Sequence, residues 1–164
     1  MSTSQGRGFS AIGTIVRTAD TNAYTGNDVI GSSTLAGGAV LQFPNMGPSG
    51  QHIFINSALL RINSSALISG EGAYLLALFD RSPASQFGDN AAWDLQAGDA
   101  DGFLGAIPFS APTAYTSTLV ALADNIGKQV RLLDTGLWGY LVTVAGYTPT
   151  AARKYVATLH SVSL

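Results

Sequence analysis

Short apolar runs in period two recur along the chain, separated by Gly, Pro, Asn and Asp. A period of two places alternate side chains on opposite faces of an extended strand, so each run predicts one. In Leu137–Ala145 the even positions Trp138, Tyr140, Val142 and Val144 share one face, and Leu137, Gly139, Leu141 and Thr143 share the other. Phe103–Phe109 carries Phe103, Ile107 and Phe109 on one side. Ile53–Ile62 and Ala73–Phe79 are apolar on both faces, the pattern of strands covered on each side. Ile12–Arg17, Ala39–Phe43, Thr118–Ala123, Val130–Leu133 and Tyr155–Val162 complete the predicted set. Between them lies turn chemistry such as Gly26-Asn27-Asp28, Gly70-Glu71-Gly72 and Asp134-Thr135-Gly136.

Helical periodicity is nearly absent. The segment Asp89–Leu95 is predicted as one or two helical turns, capped by Asp89 or Asn90. The expected fold is therefore all-β, a single-domain antiparallel β-sandwich of jelly-roll type with at most one or two short helices. Residues 1–10 read as a flexible N-terminal arm and residues 11–164 as the sandwich domain. A chain of 164 residues can bury a sizeable core, roughly 70% of its unfolded surface.

Composition changes the picture in one respect. Charged residues make up 11% of the chain, against about 25% for a typical soluble domain. The run from Val29 to Leu60 contains no Lys, Arg, Asp or Glu. A net charge of -2 without clustered Lys and Arg argues against nucleic acid and anionic membranes as partners. The adjacent Arg153 and Lys154 read as a solvated turn. The uncharged runs are interrupted by Gly and Pro, so no membrane-spanning helix is expected, and MSTSQGRGFS lacks the apolar core of a signal peptide. Synthesis in a cytoplasm follows as an expectation. A nearly neutral exterior that does not face lipid is best explained by facing other protein.

Candidate chemistry is sparse. The absence of Cys removes disulfides, thiolate metal sites and Cys nucleophiles. Asp99 and Asp101 are the candidates for a divalent cation, but the next positions of a calcium loop hold Phe103 and Ser110 rather than ligands. Asp-rich turns that bond their own backbone explain the cluster Asp89, Asp94, Asp99 and Asp101 better. His52 and His160 lack local ligand partners, Glu71 is the only glutamate, and no nucleophile or phosphate-loop motif occurs. The chain is expected to be no enzyme and to need no cofactor. Trp138 and Tyr140 read as core, Trp93 as the aromatic best placed to be exposed, and Tyr24 as an anchor for its loop.

Several stretches together resemble small virion proteins encoded among tailed-phage head genes. They are ADTNAYTGNDVIG (19–31), LQFPNMG (41–47), HIFINSALLRIN (52–63), LLALFDRSP (75–83), DNAAWDL (89–95), GFLGAIPF (102–109) and LWGYLVTVAGYTPTAARKY (137–155). The resemblance implies a capsid decoration or cement protein on the virion surface. Such a protein bridges capsomers, contacts the major capsid protein and forms dimers or trimers. It transfers no individual binding residue. Arg7 and Phe9 in the arm, with Tyr24, are the residues expected to make capsid or subunit contacts. The competing readings are a carbohydrate- or receptor-binding module, built on Trp93 with Asp99 and Asp101, and a tail or neck component.

Overall fold

A computed structural model describes residues 6–164. Eleven strands form in chain order: β1 (Gly8–Val16), β2 (Val29–Ile30), β3 (Leu41–Phe43), β4 (His52–Ile62), β5 (Tyr74–Phe79), β6 (Phe103–Phe109), β7 (Thr113–Tyr115), β8 (Thr118–Ala123), β9 (Lys128–Arg131), β10 (Leu137–Thr143) and β11 (Lys154–Ser163). The first sheet runs β1-β11-β4-β8-β7, with β9 also pairing β4. The second runs β2-β10-β5-β6, with β3 also pairing β10. Every pairing is antiparallel.

The pairing nests. Strand β5 pairs β6, β4 pairs β8, β3 pairs β10 and β1 pairs β11. Successive partners thus lie ever further apart in sequence, as in one long hairpin folded over on itself. That wrapping is the jelly roll, and it leaves a two-sheet sandwich.

The inner faces of both sheets make the main core. Ile53, Ile55, Ala58, Leu60 and Ile62 of β4 meet Leu76 and Leu78 of β5, Ile107 and Phe109 of β6, and Leu137 and Leu141 of β10. The odd positions of β10 face this core, as the alternation predicts. Gly139 stands among them because a Cβ there would lie 2.7 Å from the Ala77 carbonyl oxygen. Gly139→Ala is expected to cost about 1–3 kcal/mol through overpacking, read as a lower urea midpoint at unchanged slope.

The even positions of β10 make a second, outer cluster. Tyr140 and Val142, with Ala77 and Phe79 of β5, are covered by Ala39, Val40, Phe87, Trp93 and Leu95 from two loops. Those loops bond to each other, Ala39 N–H donating to the Phe87 carbonyl at 3.1 Å and Asp89 N–H to that of Ser33 at 2.6 Å. Trp138 packs partly buried against this cluster, so Trp138 and Tyr140 belong to the core.

Four expectations need correction. Asp89–Leu95 is not helical. Asn90 takes a left-handed φ of 64°, Ala92 bridges Asp28, and Trp93 N–H donates to the Asn27 carbonyl at 2.7 Å, so the segment lies extended against residues 27–29. Among the described residues the helical turn is Ala100–Gly102, a single 3-10 turn. The expected arm overlaps strand: Gly8, Phe9 and Ser10 pair Val162, Ser161 and His160 of β11. Arg7 N–H reaches Ser163 Oγ at 3.1 Å, so the first strand begins within the expected arm. Residues 1–5 lie outside the described residues.

Arg153, expected in a solvated turn, is 1% exposed. Neighbours at a strand start point to opposite sides, so Arg153 turns inward while Lys154 stays exposed. Finally, β4 is apolar on both faces but covered on one. Phe54, Ser57 and Leu59 on its outer side are half-buried and Arg61 is exposed. Among the described residues nothing lies over them the way the two loops lie over β5.

Candidate functional site

The uncovered outer face of the first sheet is built by register. Across β1, β11, β4 and β8 a row runs Ile12, Thr158, Leu59, Leu122. The next row runs Thr14, Val156, Arg61, Val120 and on to Thr113 of β7. Ile12 is 52% exposed, Val16 48%, Leu122 53% and Tyr115 61%. The face is concave: a depression of about 400 Å³ is lined by Ile12, Thr14, Arg61, Thr118, Lys154 and Val156. These residues escaped the sequence reading, although the two-sided apolarity of β4 was the signal that pointed to them.

Charge is withdrawn from the surface as well as scarce. Of eight basic and ten acidic side chains, Arg17, Arg153, Asp28, Glu71, Asp89 and Asp99 are buried. Arg17, Tyr24 and Asp89 form one interior group. Arg17 Nε donates to Tyr24 Oη at 2.7 Å, Tyr24 donates to Asp89 Oδ1 at 2.6 Å, and Arg17 pairs with Asp89 at 3.4 Å. Gly31 N–H also reaches Asp89 Oδ1 at 2.8 Å. Tyr24 therefore anchors its loop, and at 3% exposure it has no surface with which to touch a capsid or a sister subunit.

A second interior group lies beside the first. Arg153 Nη2 donates to Glu71 Oε2 at 3.0 Å, Tyr74 donates to Glu71, and the hydroxyls of Tyr147 and Tyr155 stand 2.8 Å apart. The rings of Tyr24 and Tyr147, 5.4 Å apart, join the two groups. Burial holds the phenols of Tyr24, Tyr74 and Tyr155 well above their ordinary value, and Tyr147 is pushed up to about 12 by the same cause. Both groups are sealed within the sandwich, where they hold loops in place.

The acidic segment does similar work. Asp99 accepts the backbone N–H groups of Ala84 at 2.6 Å and Ser85 at 3.3 Å, whereas Asp101 is exposed. Among the described residues no group of three or more His, Cys, Asp or Glu could hold a metal ion. His52 and His160 sit on β4 and β11 without converging on a third ligand. Trp93 is half-buried, its ring 6.1 Å from that of Phe103. It faces the outer cluster rather than forming an open platform. No described helix is long and apolar enough to cross a membrane.

Fold and surface define a single-domain jelly-roll β-sandwich in which, among the described residues, loops cover one sheet and leave the outer face of the other open. No family model and no curated protein matches the chain. Among solved structures, it is similar to a chain of the cyanophage Pam1 capsid asymmetric unit at 14% identity and a TM-score of 0.38, covering 97% of this chain and 86% of that one. It is also similar to the decameric BFDV capsid protein at 12% identity and 0.39, covering 97% and 98%. The Eiger TNF of S. frugiperda matches at 9% and 0.36, covering 96% and 92%. Similarities of this size reach capsid proteins and a TNF alike, and they assign no partner to this chain.

Proposed function

We propose that the chain is a structural virion protein of a tailed bacteriophage that binds the outside of the assembled capsid as a decoration protein, bridging and stabilising capsomers. The observation that carries this reading is the outer face of the first sheet, where Ile12, Val16, Leu122 and Tyr115 are about half exposed or more among Thr14, Thr118, Arg61 and Lys154. Large apolar side chains left this exposed, side by side on one sheet face, mark a contact with other protein. The motif resemblance to small virion proteins supports the same reading, as does the scarcity of surface charge.

Such a protein acts by mass action. It binds the closed shell and not the separated subunits, so every copy bound shifts the equilibrium toward the shell. Dimers or trimers of the chain would add avidity. Arg7, exposed, and Phe9, half-buried, lie at the start of edge strand β1. The Arg7 guanidinium stands 5.4 Å from the Phe9 ring centre. In this reading they contact the major capsid protein or a sister subunit. No catalysis is part of the role.

The test is reconstitution. Shells purified without the chain should take it up to a fixed copy number and then disrupt at a higher temperature. Shells that neither bind it nor gain stability would refute the reading.

A further inference from the structure

We infer that the bare face of the first sheet docks a protein surface that presents carboxylates between apolar side chains; this rests on the decoration reading and names the chemistry of its partner. None of the sheet's six strands holds an Asp or Glu, although acidic residues outnumber basic ones in the chain. The cations are present: Arg61 on β4 and Lys154 on β11 line the depression. Neither belongs to an ion pair among the described residues. Thr158, 6% exposed in the row between Ile12 and Leu59, keeps a hydroxyl with no protein hydrogen-bond partner.

This pattern selects among occupants. A second copy docking face to face would set two sets of strands without Asp or Glu against each other, bringing the cations of the two copies together. A nucleic acid needs a track of Lys and Arg along its phosphates, whereas here Arg61 and Lys154, with Arg131 at the far end of the sheet on β9, stand apart among Ile12, Val16, Leu59, Leu122 and Val156. A surface of aliphatic side chains with Asp or Glu satisfies both parts of the face. The aliphatic contacts supply burial, and the carboxylates meet Arg61 and Lys154, setting register and association rate.

The chain has no Cys, so single cysteines report on each face. Ile12→Cys and Leu122→Cys probe the bare sheet. Leu35→Cys, at a position 75% exposed in a loop over the second sheet, is the control. All three lie at exposed positions, and thermal melts confirm that each variant folds. In the free chain all three should react with a maleimide. On particles of the phage that carries the chain, positions 12 and 122 should be protected while position 35 reacts as before. The double variant Arg61→Glu/Lys154→Glu should bind purified shells at least about tenfold more weakly. Arg81→Glu, beyond the end of β5, should bind as the unmodified chain does.

Three results would overturn the inference. The first is position 122 remaining reactive in bound copies, which would place the contact on another face. The second is protection of position 122 in a free chain that sediments as an oligomer, which would make the face a self-interface. The third is unchanged shell binding by the charge-reversed variant. Absence of the unmodified chain from particles is a separate outcome, and it removes the decoration reading itself.

Discussion

Replacing Glu71 by alanine is expected to lower folding stability by about 3–5 kcal/mol, the usual consequence of leaving a buried charge without its partner. The side chains of Glu71 and Arg153 are both 0% exposed and meet at 3.0 Å. Arg153 Nε and Nη1 have no protein partner even in the intact chain, so Glu71 supplies the one ionic contact that offsets its desolvation. The carboxylate also accepts the Ile68 N–H at 2.9 Å and the Tyr74 hydroxyl, so its loss frees the 68–71 turn as well. With total stabilities of roughly 5–15 kcal/mol, the variant would sit near the edge of folding. Its melting temperature should fall by roughly 10 °C.

A double variant distinguishes lost pairing from lost shape. Glu71→Leu with Arg153→Met removes both charges and keeps apolar volume, and it should recover most of the loss. Denaturant titration of the three chains measures the difference. A cost below about 1 kcal/mol for Glu71→Ala would mean that water reaches Arg153 and the pair behaves like a surface one.

The second large effect is alkaline. The phenols of Tyr24, Tyr74, Tyr147 and Tyr155 are all held above the ordinary value of 10, burial being the first cause in each. In the unfolded chain they would ionise near 10. Below that pH both states keep these protons, and stability does not depend on them. Above it the unfolded chain releases protons that the folded chain retains, so stability falls as pH rises toward the folded values. Each group contributes up to about 1.4 kcal/mol per pH unit, and four together about 5. The fold should therefore be lost within about one to three pH units above 10. Phenolate absorbance and the far-UV circular dichroism signal should change together. Ionisation of these four tyrosines with the fold intact would contradict the burial described above.

How much of this was legible depended on whether a signal was local. Phe103–Phe109 and Thr118–Ala123 form strands with the predicted bounds, because alternation over six or seven residues is itself the strand signal. Strand β2 has two residues, Val29 and Ile30, both fully buried against β10, and a pair carries no period. Strand β7, Thr113–Tyr115, is exposed throughout and pairs only with β8. The capping pattern at Asp89 resembled a helix start, but the carboxylate is taken by Tyr24, Gly31 and Arg17, which lie far away in sequence.

The same limit governs the site. Arg153 and Lys154 are alike in composition, and their neighbourhood reads as a turn. The pairing of β11 sends one toward Glu71 and the other to the bare face.

The amino-acid sequence alone determined that this chain is built of strands, that it carries little charge, and that β4 and β5 are apolar on both sides. Those properties depend on residue type and on neighbours two positions away. Which of those strands is covered was decided only by tertiary structure. Residues near 32–40 and 80–95 fold back over β5 and β10 and bury their outer side chains, while β1, β11, β4 and β8 receive no such cover from the described residues. The difference arises from contacts between segments about fifty residues apart, and the local pattern of each strand is the same either way.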